Sequence, residues 1–120
     1  MKTLLIVEDD TDIQDYYQIL LAELGVNTVR AYNGREGLAV IDAGTPVDLI
    51  LLDIVLPEMG GDEFFRALRV DRGATTPVIV CSVDEKLVEP LRRIGPVQGT
   101  FLKGDPGSAL VAMIRQQLEL

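Results

Sequence analysis

The chain has 120 residues, 48% apolar and 25% charged, with a net charge of −8, a single Cys and no His. A chain of this size can bury about two thirds of its surface without a disulfide or metal staple, so residues 1–120 read as one domain. The acidic balance argues against direct nucleic acid binding, the lack of His removes Ser-His-Asp, Cys-His and imidazole-metal chemistry, and no apolar run approaches the roughly 18 residues of a membrane span.

A first strand is predicted at 3–7, where an apolar run ends abruptly in Glu8, Asp9 and Asp10. Ile13, Tyr17, Leu20 and Leu24 follow at helical spacing, with Asp12 or Thr11 as cap and Gly25 as stop. The predicted core arc of this helix is 13, 16, 17, 20 and 24, which makes Tyr16 and Tyr17 core or core-edge residues and leaves Ile19 outward. A second strand is predicted at 28–31 and a short helix at 34–43, closed by Gly44. The third strand, 49–52, leads to Asp53, and a helix from Asp62 ends near Gly73. The fourth strand, 78–81, contains Cys81, read as a small buried apolar residue. Pro90 lies in the helical segment 84–94, so that helix is expected to start late or to kink. The fifth strand, 100–102, precedes Lys103, and Pro106 suits the start of a last helix carrying Leu110, Ile114 and Leu118.

Five strand–helix repeats imply an α/β fold, a single (βα)5 doubly wound parallel sheet with right-handed crossovers and helices on both faces. The runs 4–7 and 49–52 are apolar without alternation, as central parallel strands are. Strand order 2-1-3-4-5 is expected, with a ligand site at the switch point between strands 1 and 3. The lone Cys fits a reducing compartment, and the expected location is the cytoplasm.

In this topology Glu8, Asp9 and Asp53 meet at one sheet edge, with Ser82 and Lys103 at the ends of strands 4 and 5. Like charges ~4 Å apart repel by about 4 kcal/mol at an effective dielectric near 20, so the acids call for protons or a cation. Mg2+ fits, since it takes oxygen ligands and pairs with one or two carboxylates and a phosphate oxygen. A hydroxyl and an ammonium beside it suit the remaining oxygens of a phosphoryl group, which makes Asp53 the expected nucleophile.

The stretches LLIVEDD at 4–10, LILLDIVLPEMGG at 49–61, PVIVCS at 77–82 and FLK at 101–103 resemble the receiver domain of two-component response regulators. The resemblance runs from Thr3 to Leu118. It implies Glu8 and Asp9 as the acidic pair, Asp53 as phosphoacceptor, the Val55 carbonyl as a further Mg2+ ligand, Ser82 as switch hydroxyl and Lys103 as phosphate-binding lysine. Asp10 is expected as a loop or cap acid. It further implies a histidine kinase or histidine phosphotransfer protein as donor, and a downstream protein target or output domain reached through the fourth helix, fifth strand and fifth helix. The donor must lie outside this chain, which has no His.

Three positions depart from the family pattern. Thr100 stands where an aromatic usually precedes the lysine, Gly104 replaces the following Pro, and Val83 replaces a small residue after the switch hydroxyl. With Thr100 too small to follow the hydroxyl, a muted response of the fifth strand is expected unless the neighbouring Phe101 substitutes. These departures support an alternative, a pseudo-receiver that binds partners without phosphorylation. A Mg2+-dependent phosphatase using Asp53 ranks lower, because the apolar Val55 stands where a second acid is usual. A chain ending soon after the last helix suits a single-domain regulator or part of a longer one.

Overall fold

The computed structural model describes residues 1–120. Five strands, β1 (Thr3–Val7), β2 (Asn27–Ala31), β3 (Leu49–Asp53), β4 (Val78–Ser82) and β5 (Gly99–Leu102), form one parallel sheet in the order β2-β1-β3-β4-β5. Five helices connect and cover them: α1 (Thr11–Leu21), α2 (Gly34–Asp42), α3 (Gly61–Arg66), α4 (Glu89–Ile94) and α5 (Gly107–Leu118). The accessible surface is 6150 Å2, against ~19,000 Å2 for an extended chain of this mass.

Alternation along the strands divides the core in two. Leu5 and Val7 of β1 face Leu38, Phe64, Phe65, Leu68, Val88 and Leu91 on the α2, α3 and α4 side. Leu4 and Ile6 face Tyr17, Leu21, Leu110, Ile114 and Leu118 on the α1 and α5 side. The central strands therefore carry no polar face, which is why they are continuous apolar runs. β1 pairs with β3 from Leu4–Leu49 to Val7–Leu52, and β3 with β4 from Ile50–Val78 to Asp53–Cys81. That register brings the residues after Val7 level with Asp53 and Ser82.

Helix α1 differs from the sequence expectation in two ways. Its cap is Asp10, not Asp12 or Thr11: Asp10 is extended, and its carboxylate accepts from the Asp12 and Ile13 amides. Its buried positions are Gln14, Tyr17 and Leu21, with Ile13, Leu20 and Leu24 packed at the margin and Tyr16 49% exposed. The arc is rotated because Gln14, a polar residue, is fully buried. Its Nε2 donates to the carbonyls of Ile6, Glu8 and Ala31 at 3.0, 3.1 and 3.0 Å. Ile19 is exposed as expected.

The segment after β4 divides at Pro90: a 3-10 turn (Glu85–Val88), capped by the Asp84 side chain, passes into α4 with Pro90 in the first turn. There the missing amide costs no helical bond. A wide π turn (Ala67–Asp71), capped at Arg72, continues α3, and Gly73 follows it with φ +61°.

Candidate functional site

The site lies where β1, β3, β4 and β5 end. Glu8 follows β1 and is buried, with its amide held by the Ala31 carbonyl at 3.0 Å. Asp53 ends β3 and is also buried, while Asp9 is exposed. Carboxylate oxygens of Glu8, Asp9 and Asp53 lie within 4.8 Å of one another. The expected convergence of these three acids is thus present.

Lys103 enters from β5, whose end is tied to β4 by a 2.7 Å bond from the Lys103 amide to the Ser82 carbonyl. Its Nζ donates to Asp53 Oδ2 at 3.1 Å and lies 3.7 Å from Glu8 Oε2. Asp53 Oδ1 accepts from the Val55 amide at 3.2 Å. Burial, reinforced by the hydrogen bond and charge of Asp53 and opposed by Lys103, pushes the Glu8 carboxyl up to about 8. Burial alone would lower the Lys103 ammonium, but Asp53 and Glu8 outweigh it and raise it, so the amine is charged at neutral pH.

Glu8 Oε1 accepts from the Asp10 amide at 3.3 Å, but Oε2 is buried without a hydrogen-bond partner. A buried oxygen without a partner, on a carboxyl pushed toward its protonated form, is relieved by a proton or by a cation that displaces it. The donors are all oxygen and one is orphaned, which suits a hard divalent ion such as Mg2+.

Ser82 is buried at the end of β4, but its hydroxyl is engaged elsewhere. It donates to the Asp84 carbonyl at 2.7 Å and accepts from the Asp84 amide at 3.1 Å. Val55 and Val83 are exposed beside the site. Gly104, after Lys103, has φ +107°, a conformation favouring glycine, and all peptide bonds of the chain are trans. Cys81 lies beneath the site, where burial pushes its thiol up to about 12.

Two contributors escaped the sequence reading. Gln14 fixes the Glu8 carbonyl, and its only sequence signal is spacing, since 14, 17 and 21 share a helix face. Arg92 of α4 reaches β5, where its Nη2 donates to Thr100 Oγ1 at 3.0 Å. Phe101 is buried on the opposite face, in the α1 and α5 core. Strand alternation separates it from Thr100, so the ring is not on the face of the missing aromatic.

A buried pair of strand-end carboxylates bridged by a lysine, on a five-stranded sheet of this order, defines a receiver-type signalling domain. The model of the family described as "Response regulator receiver domain" matches residues 4–98, and the chain belongs to that family. The match stops short of Thr100 and Lys103. Among curated relatives, the Regulator of RpoS from Escherichia coli K12 is 35% identical over 104 residues, covering 85% of this chain and 30% of that protein. The transcriptional regulatory protein CiaR of Streptococcus pneumoniae is 36% identical over 87 residues, covering 72% of this chain and 38% of that protein. The chain thus spans about a third of the length of these relatives. Among solved structures, the signal receiver domain of a histidine kinase from Syntrophus aciditrophicus superposes with a TM-score of 0.86 at 28% identity, covering 99% of this chain and 91% of the other. Chemotaxis protein CheY4 of Vibrio cholerae superposes with a TM-score of 0.84 at 24% identity, covering 97% and 98%, a likeness of fold. Receiver domains generally bind Mg2+ at an acidic pocket, and this chain has an acidic cluster of Glu8, Asp9 and Asp53 at its strand ends. No helix of the chain is long and apolar enough to cross a membrane.

Proposed function

We propose that residues 1–120 form a receiver that takes a phosphoryl group from a phosphohistidine onto Asp53 in a Mg2+-dependent reaction. The observation that carries this reading is the buried Glu8 and Asp53 pair, with Glu8 Oε2 lacking a donor and Lys103 Nζ 3.1 Å from Asp53 Oδ2. An Asp53 oxygen attacks phosphorus, the P–O bond forms as the P–N bond of the phosphoimidazole breaks, and the electron pair leaves on the imidazole nitrogen, which takes up a proton. Lys103 offsets charge on the transferring group, and Ser82 supplies a hydroxyl once released from Asp84. Glu8 and Asp9, with an oxygen of Asp53 and the Val55 carbonyl, hold the metal. Bound Mg2+ supplies positive charge to the phosphoryl oxygens.

On this reading the chain is not an enzyme acting on a separate substrate; it promotes only its own phosphorylation and dephosphorylation. Its partners are a histidine kinase or histidine phosphotransfer protein and a downstream target or output domain, and it works in the cytoplasm. The acidic balance disfavours direct nucleic acid contact. Intact mass after incubation with a small acyl phosphate donor tests the reading. A gain of one phosphate that needs Mg2+, disappears with chelator and is absent in Asp53→Asn supports it. No gain in the wild type would leave a pseudo-receiver, an interaction module independent of phosphorylation.

A further inference from the structure

Thr100 and Ser82 belong to neighbouring strands, with Thr100 paired to Val80 and Ser82 paired to Leu102. Alternation puts the Thr100 and Ser82 side chains on the same face, toward α4. There the Arg92 guanidinium contacts three groups at once. It donates to Thr100 Oγ1 at 3.0 Å and to Glu89 Oε1 at 2.8 Å, and it forms an ion pair with Glu85. Glu85 adjoins Asp84, whose backbone holds both hydrogen bonds of the Ser82 hydroxyl. Asp84 Oδ1 also caps the 3-10 turn through the Lys86 amide at 2.9 Å. Polar contacts joined by the Asp84–Glu85 peptide link therefore connect Ser82 to β5 through Arg92 and Thr100. A planar fork of several donors suits meeting two carboxylates and a hydroxyl together.

We propose that Arg92 is a positioning residue for Ser82. Pinned on Thr100, its guanidinium holds Glu85 and the loop before it where Asp84 retains the Ser82 hydroxyl, and it passes the release of that hydroxyl to β5. The proposal rests on the assignment of Asp53 and Ser82 made above. For Ser82 to serve a phosphoryl group it must give up both bonds to Asp84, and the backbone that made them is continuous with Glu85. A shift there alters the Arg92 contacts, and Thr100 feels it through its hydroxyl although it lacks the volume of a ring. The strand response expected to be muted from the sequence is, on this account, polar. The Arg92 contacts are solvent-exposed, so their bias on the loop is modest.

The test uses beryllofluoride with Mg2+ as phosphoryl mimic and follows backbone amide chemical shifts in the wild type, Arg92→Ala and Thr100→Val. In the wild type, shifts are expected at 82–85 and at 99–101. In Arg92→Ala the mimic should bind about two- to fivefold more tightly, because a restraint on the resting loop is gone. The 82–85 shifts should persist while those at 99–101 collapse. Thr100→Val, which leaves both ion pairs intact, should lose the same response and carries the test if Arg92→Ala folds poorly. A merely structural Arg92 would weaken mimic binding in step with lost stability. Unchanged affinity with undiminished 99–101 shifts in both variants would overturn the proposal. Failure of the wild type to bind the mimic would instead overturn the phosphoacceptor reading and the role of Arg92 with it.

Discussion

Gln14 is a polar residue with a structural task at the edge of the site. Its amide is the shared donor for three strand-end carbonyls, one of them that of Glu8. Gln14→Leu fills similar volume with apolar atoms, yet it should destabilise the protein by about 1–3 kcal/mol because the carbonyls lose a buried donor. Urea unfolding measures this, and an unchanged midpoint would show the carbonyls satisfied without it. Lys103 presents the converse case, a cation between two buried acids. Lys103→Met should lower stability in the absence of Mg2+ by on the order of 1–3 kcal/mol, with part of the loss restored by added Mg2+. Equal loss with and without Mg2+ would mean that amine and metal do not share the same carboxylates. The strand-end acids were legible in the sequence because each interrupts an apolar run. Gln14 was not, since a glutamine on a helix scores as surface whatever its neighbours do, and this one residue turned the expected face of α1.

At the level of elements, five strands and their order were readable because central parallel strands permit almost no polar residue. The late start of α4 followed from Pro90, whose ring fits a first turn and no later position. The cap of α1 is Asp10, expected as a loop or cap acid and lying one to two residues before the favoured Thr11 or Asp12: its backbone is extended and its carboxylate reaches the first free amides. The role of Arg92 was hidden for a different reason, since contacts between α4 and β5 depend on packing that no local pattern records. The start of α3 bears on the site directly. A Cβ at Gly61 would stand 2.7 Å from Ile54 Cα and 2.8 Å from the Asp53 carbonyl, both of them backbone. Gly61→Ala must therefore displace the loop after β3, costing about 1–3 kcal/mol by overpacking and lowering the rate of phosphate uptake. Retained stability and uptake would show that the loop yields more easily than its contacts imply.

For the whole molecule, the same acids that form the site are only partly offset by Lys103 when no metal ion is bound. A ligand that binds the native state alone stabilises it by about 2.7 kcal/mol at a hundredfold excess over its dissociation constant. Thermal melts should rise with Mg2+ in the wild type and stay flat in the Asp9→Ala, Asp53→Ala double variant. An equal rise in both would point to nonspecific screening of the net charge of −8. Phosphoryl transfer to Asp53 can be read at one atom. Borohydride cleaves an aspartyl phosphate to homoserine, so the chain is incubated with an acyl phosphate donor and Mg2+, reduced, digested and sequenced by mass. Homoserine is expected at position 53 and nowhere else, lost on chelation of Mg2+. Conversion at Asp9 or another acid, or no conversion while the protein is folded and Mg2+ is bound, would contradict it.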